Sequence, residues 1–264
     1  MASRARAQAR LTQEDRHRQI LALLRRDGTV RIATLAKAFA VTTETARRDL
    51  DDLAAAGALK RTYGGAAGRS LTDEPGIGAR SRAHAAERGA IGAAAARLVQ
   101  PGDALMIDCG STTGLFANAL AARNLHLTVV TNGLPVARAL ATSPHCRVIL
   151  CPGDFVLREG GTYGPDTQAF IRRFKANRAF IGAGGLTADG VTDADSASCA
   201  VKRAMMERAD HTTLLLDSSK YDLVQFEQVC ALADIGLLVC DAPPPKRLAD
   251  RLRKAGVRVT VARE

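Results

Sequence analysis

From residue 104 to the C-terminus, short apolar runs alternate with helix-like stretches, and this alternation constrains the fold more than any other feature. ALMID (104–108), LTVVT (127–131), RVILC (147–151), RAFIGA (178–183), TTLLLD (212–217), GLLVCD (236–241) and VRVTV (257–261) read as strands. Between them TTGLFANALAA (112–122), LPVARALA (134–141), TQAFIRRF (167–174), ASCAVKRAMMERA (197–209) and PKRLADRLRKAG (245–256) read as helices. Strands this uniformly apolar are buried on both faces, as in a mostly parallel sheet clad with helices. The pattern predicts an α/β domain over 84–264. It opens on a helix at 84–98, with Ile91, Ala95 and Leu98 in line.

The first quarter of the chain differs in both pattern and charge. Residues 1–70 hold 14 Lys or Arg against 7 Asp or Glu, so they carry +7 of the net +10. Such asymmetry points to a polyanion-binding module joined to a nearly balanced body. EDRHRQILALLRR (14–26) reads as a helix stopped by Asp27-Gly28, and RIATLAKAF (31–39) as a shorter second helix. A third follows in VTTETARRDLDDLAAAG. Thr42 is its expected N-cap, Gly57 its expected end, and Ala46, Leu50 and Leu53 its buried stripe. ALKRTYGG then reads as a short basic hairpin.

Three short helices and a basic hairpin make a winged helix-turn-helix, expected over residues 1–63. The helical period puts Glu44, Arg47, Arg48 and Asp51 opposite the buried stripe. Two adjacent arginines there suit guanine edges or phosphates in a major groove, and Lys60 and Arg61 suit backbone phosphates. The expected DNA-binding set is therefore Thr42, Thr43, Glu44, Thr45, Arg47, Arg48, Lys60 and Arg61. A solvated helix with arginines paired to Asp51 and Asp52 is the alternative for the arginines alone. Residues 64–83, rich in Gly and small polar side chains, are expected to be a linker.

Ligands of open α/β sheets bind beyond the carboxyl ends of the strands. After ALMI comes Asp108-Cys109-Gly110-Ser111-Thr112-Thr113-Gly114, running into a helix. Backbone N–H groups, the helix dipole and three hydroxyls make an anion cradle there. It is neither a Walker A loop nor a G-x-G-x-x-G fingerprint. Thr131-Asn132-Gly133 follows a second strand. A long polar loop with Asp189, Asp193 and Asp195 follows another, and Asp217-Ser218-Ser219-Lys220 a fourth. These converging polar ends predict a small anionic ligand held by Asp108, Gly110, Ser111, Thr112, Thr113, Thr131, Asn132, Asp193 and Lys220.

Six scattered cysteines without a C-x-x-C pair, several in apolar runs, read as buried small hydrophobes. The five dispersed histidines show no metal-ligand spacing, so no metal or cofactor is expected. No stretch approaches the ~20 apolar residues of a membrane span. The basic opening stretch has no apolar run behind it, so a signal peptide is not expected and the expected location is the cytoplasm.

Taken in order, RHRQILALL, VTTETARRDLDDLAAAG, LKRTYGGA, IDCGSTT, VVTNG, FIGAGGLTADGVTDAD, VKRAMMERA, LLLDSSKYD and CDAPPP resemble the DeoR/GlpR-type transcriptional regulators over about residues 14–256. The resemblance implies a Rossmann-like sensor domain similar to ribose-5-phosphate isomerase. It also implies a repressor of carbohydrate-metabolism genes that a phosphorylated sugar releases from double-stranded operator DNA, and a homo-oligomer of two or four chains. By the same resemblance the Asp108–Thr113 loop would hold the phosphate, and Thr131, Asn132, the loop around Asp193 and Lys220 would line the rest. Arg158-Glu159-Gly160-Gly161 matches the family only loosely and contributes no expected site residue. The competing reading is an isomerase-like enzyme with an accessory DNA-binding domain. It would need a tuned carboxylate base such as Asp108, Asp193 or Asp195, and no acid–base pair has diagnostic spacing.

Overall fold

The computed structural model describes residues 11–55, 58–68 and 70–262. It divides into two units, Met1–Ser70 and Leu71–Glu264.

In the first unit α1 (Gln13–Asp27) begins where Thr12 Oγ1 accepts the Asp15 N–H at 3.1 Å, and it stops at Gly28, whose φ is 73°. Next come β1 (Thr29–Arg31), α2 (Ile32–Ala38), α3 (Thr43–Ala55), β2 (Leu59–Thr62) and β3 (Gly65–Gly68). Thr42 caps α3 as expected, accepting the Thr45 N–H at 3.1 Å. Gly57, expected to end α3, lies outside the described residues, as does the stretch 1–10. Ala46, Leu50 and Leu53 are buried against Ile20, Leu35 and Phe39. The hairpin acquires a third strand, in the antiparallel order β1-β3-β2. Gly65 allows this: a Cβ there would stand 2.0 Å from the Val30 carbonyl oxygen, so only glycine lets the strands close.

The expectation of a linker over 64–83 needs correction. Residues 65–68 are a paired strand of the first unit, and α4 (Ile77–Arg82) is a helix of the second. Small residues lower apolar periodicity whether the backbone is ordered or not, so composition could not separate the two.

The second unit continues with α5 (Ala85–Ala96), β4 (Ala104–Ile107), α6 (Ser111–Ala121), β5 (Leu127–Thr131), α7 (Leu134–Leu140) and β6 (Cys146–Leu150). A small hairpin of β7 (Asp154–Val156) and β8 (Gly161–Tyr163) leads to α8 (Pro165–Ile171) and β9 (Ala176–Ile181). Then follow β10 (Gly185–Thr187), β11 (Gly190–Asp193), α9 (Ser196–Glu207), β12 (Ala209–Leu215), β13 (Glu227–Cys230), β14 (Leu237–Cys240), α10 (Lys246–Lys254) and β15 (Arg258–Val261).

Seven strands form one sheet in the order β15-β14-β12-β9-β4-β5-β6. Every neighbouring pair in it is parallel. The period of two is visible in β4. Leu105 and Ile107 join the core shared with α5, α6 and α7, while Met106 points to the layer holding α8 and α9. Helix α10 closes the second face over β14 through Leu248 and Leu252. The stretch 184–195, expected as a long polar loop, is instead a β10–β11 hairpin that pairs with β13 in a separate antiparallel sheet. Its strands are three and four residues long, too short for alternation to register. Among the described residues no helix is long and apolar enough to cross a membrane.

The chain runs outward from β4 through β5 to β6, then returns to β9 and runs outward the other way. The reversal lies between β4 and β9, so the crevice beyond their carboxyl ends is where this topology leaves room for a ligand.

Candidate nucleic-acid interface and ligand cavity

In the first unit, burial of Ala46 and Leu50 turns the opposite face of α3 to solvent. Thr42, Thr43, Glu44, Arg47 and Arg48 are exposed there, and Thr45 is half-buried. Glu44 braces both guanidinium groups, Arg47 at 3.0 Å and Arg48 at 3.5 Å. Lys60 stands exposed on β2, whereas Arg61 pairs with Asp51 at 2.9 Å and donates to the Gly65 carbonyl. The sequence alternative paired the α3 arginines with Asp51 and Asp52; the actual partner is Glu44, one turn earlier. Behind this face, buried Asp49 receives two hydrogen bonds from Arg16, at 2.7 and 2.8 Å, and has His17 at 3.3 Å. That buried ion pair fixes α3 against α1. The exposed face offers hydroxyl and guanidinium donors from one rigid helix, the geometry that base edges and phosphates require.

In the second unit a cavity of about 500 Å³ opens beyond the ends of β4, β9 and β12. Of the residues expected to bind a ligand, Asp108, Gly110, Ser111, Thr112, Asp193 and Lys220 line it. Thr113, Thr131 and Asn132 do not. Thr113 is buried and donates to the Gly110 carbonyl at 3.1 Å, and Thr131 Oγ1 accepts the Gly133 N–H at 3.0 Å. Asn132 accepts the Cys109 N–H at 3.0 Å and donates to the Thr162 carbonyl at 3.0 Å. These three shape the loop from behind. A polar residue at a strand end can face the cavity or brace the turn, and the sequence does not distinguish the two.

Sequence reasoning missed most of the cavity's charge. Lys202 of α9 is buried between Asp108 Oδ2 at 3.0 Å and Asp193 Oδ2 at 3.1 Å, and it donates to Ser198 Oγ at 2.7 Å. Burial opposes its charge, yet the two carboxylates outweigh that and raise its pKa well above the usual lysine value. Asp108 Oδ2 also accepts the Gly182 N–H at 3.1 Å, while its Oδ1 is buried without a hydrogen-bond partner among the described residues. Arg88 of α5 is buried, holds Asp217 at 2.8 Å and donates to Ser111 Oγ at 3.0 Å, at the first residue of α6.

Glu74 lies between Lys220 at 3.0 Å and Arg80 at 2.8 Å, and Arg80 also reaches Glu159 at 2.5 Å. Burial works against ionisation of Glu74, but Lys220 and Arg80 overcome it and hold the carboxyl down at about 2. Glu159, set aside in the sequence, thus belongs to the wall, and Arg158 beside it lines the cavity as well.

Cys109 also lines the cavity. Burial and the Asp108 carboxylate push its thiol up to about 12, so it is an inert wall group there. Five of the six cysteines are buried, Cys146 is half-buried, and all are free.

The cavity therefore combines the N-terminus of α6 with five cationic side chains engaged by carboxylates, Arg80, Arg88, Arg158, Lys202 and Lys220. Such an arrangement suits an anionic ligand.

Comparisons with known proteins agree with this division. Residues 16–71 match the DeoR-like helix-turn-helix domain, and residues 83–242 match the DeoR C terminal sensor domain. The glycerol-3-phosphate regulon repressor of Escherichia coli (strain K12) is 32% identical over 236 residues, covering 89% of this chain and 93% of its own. The HTH-type transcriptional repressor CsqR of the same organism is 30% identical over 255 residues, covering 96% and 97%. Among solved structures, ribose 5-phosphate isomerase A from Methanocaldococcus jannaschii aligns at 16% identity and a TM-score of 0.39, over 52% of this chain and 55% of its own. With a DNA-binding and a sensor domain matched in order and nearly the whole length aligned to repressors, the chain belongs to the DeoR family of helix-turn-helix transcriptional regulators.

Proposed function

We propose that the protein represses genes of sugar or polyol-phosphate metabolism and leaves its operator when a phosphorylated sugar or related metabolite fills the cavity. One observation carries the ligand class. The buried Arg88 guanidinium donates to Ser111 at the first residue of α6, and Lys220 and Arg80 line the same cavity. An anionic group bonds to these cations, and the polar lining, Ser196 and Ser198 included, takes hydroxyl groups, which describes a phosphorylated polyol. The relatives named as repressors, one of them for a glycerol-3-phosphate regulon, support the same reading.

In this reading Asp108, Gly110, Ser111, Thr112, Asp193 and Lys220 contact the effector together with Arg88. Thr42, Thr43, Glu44, Thr45, Arg47, Arg48, Lys60 and Arg61 form the DNA surface, and two or four copies act together. A dimer matches helix-turn-helix recognition, in which two recognition helices meet half-sites about one helical turn apart.

The test is fluorescence anisotropy on DNA from the protein's own upstream region, at fixed salt, with and without a panel of sugar and polyol phosphates. Tight binding weakened by one member of the panel is the expected result. Binding indifferent to every member would remove the effector assignment. Binding no tighter than to random DNA would remove the operator assignment.

A further inference from the structure

Of the cations that line the cavity, Lys220 and Arg80 already hold an anionic group of the protein itself. Glu74 belongs to neither helix nor strand, sits just after the boundary between the two units, and is only 7% exposed. Its carboxylate reaches Lys220 at 3.0 Å and Arg80 at 2.8 Å, and all three side chains line the cavity. We propose that Glu74 is a tethered stand-in for the effector's anionic group, so that an incoming phosphate monoester takes the Lys220–Arg80 locus by expelling Glu74 and the segment 71–76. The proposal deepens the effector reading above and rests on it.

Three observations support the exchange. First, Arg80 keeps Glu159 when Glu74 leaves, so it is not stranded. Second, Glu74 is the carboxylate with which Lys220 pairs among the described residues, so its departure exposes an unmatched buried ammonium that the ligand must satisfy. Third, a phosphate monoester brings a charge of about −1.5 to −2 and three acceptor oxygens, against one charge and two oxygens for the carboxylate. Expelling segment 71–76 breaks a defined set of bonds. The Leu71 carbonyl accepts from the Phe226 N–H at 3.1 Å, the Glu74 carbonyl accepts from the Arg158 guanidinium, Asp73 stands 4.0 Å from Arg158, and the Gly76 carbonyl accepts from the Arg80 N–H at 3.1 Å. Occupancy of the cavity is thereby linked to the tether of the chain that emerges from the DNA-binding unit, without any need for the sheet to move.

The experiment titrates inorganic phosphate into the full-length wild type, Glu74→Gln and the double variant Glu74→Gln/Lys220→Met by calorimetry. Hydrogen exchange over residues 71–79 of the wild type is followed in parallel. Removing an internal competitor that fills the locus most of the time raises apparent affinity by about tenfold or more. Glu74→Gln is therefore expected to bind phosphate at least about tenfold more tightly, and the double variant to lose that gain. Phosphate is expected to speed exchange over 71–79 in the wild type.

Equal or weaker phosphate binding by a folded Glu74→Gln overturns the proposal, as does phosphate binding by neither protein. Should Glu74→Gln fail to fold, the wild-type exchange decides alone, and unchanged exchange at saturating phosphate overturns it. A sugar phosphate that releases operator from both proteins at equal concentration keeps the regulator reading and removes the exchange. A tenfold gain in phosphate affinity without operator release by any sugar phosphate does the reverse.

Discussion

At Arg47 and Arg48 the helical period alone exposes the face, and the structure adds only that Glu44 holds both side chains at rest. Replacing either arginine with alanine removes a donor to the DNA and leaves Glu44 paired with the remaining one. The expected cost to operator binding is about 1–3 kcal/mol, with ligand binding unchanged. Anisotropy at fixed salt measures it, and wild-type affinity in both single variants would exclude α3 as the reading helix. Of the cavity's cations, Lys220 is readable as the end of a polar strand-end run, and the others are not. Arg88 and Lys202 sit in helices where a lone cation resembles a solvated one, and the partner of Arg88 lies 129 positions away. Glu74 carries a further consequence. Its carboxyl is held at about 2 in the folded protein against an ordinary 4.5. A depressed carboxyl pKa contributes stability that is present in full above about pH 4.5 and is lost as pH falls toward 2. The contribution is on the order of 3 kcal/mol. Urea unfolding across that window should show a shallower acid limb in Glu74→Gln than in the wild type. Parallel limbs would mean that the carboxylate gains nothing from Lys220 and Arg80.

At the scale of elements, the long ones could be read and the short ones could not. Helix α3 was found through Thr42 and its Ala46–Leu50–Leu53 stripe, and the strands β4, β5 and β9 through their apolar runs. Strands β1, β7 and β10 span three residues each, so no periodicity can form, and their pairing is decided by distant partners. Capping and pattern find α3, but they do not say how it is held. That depends on Asp49, buried on α3 and gripped by Arg16 and His17 of α1. Asp49→Ala leaves the Arg16 guanidinium without its partner in a largely buried position. The expected loss is about 3 kcal/mol in the stability of the first unit. It appears as an earlier midpoint in denaturant unfolding followed by the helical signal, and operator binding falls with it. A midpoint within about 0.5 kcal/mol of wild type would show that the apolar stripe alone sets the angle of α3.

For the whole molecule, the strand order supplies what no single element contains. Reversal of direction between β4 and β9 gathers the ends of β4, β9 and β12 around one cavity. That is why four polar strand ends in the sequence pointed to a common site although one of them, Thr131-Asn132, only braces it. Each unit also has its own core, Ile20 and Leu50 in the first, Phe116 and Phe180 among many in the second. Ligand sites confined to separate cores predict separable stabilisation. A ligand that binds only the folded form adds about 2.7 kcal/mol at one hundred times its dissociation constant. For a unit of the second one's size each kcal/mol raises the midpoint by about 2–4 °C, so a saturating effector should lift one calorimetric transition by roughly 5–10 °C. Operator DNA should instead lift the transition of the smaller unit. Because coupling is reciprocal, the two ligands together should raise stability by less than the sum of their separate effects, by the free energy with which effector weakens operator binding. Additive shifts would mean that the two units do not communicate, and the cavity would then be no switch.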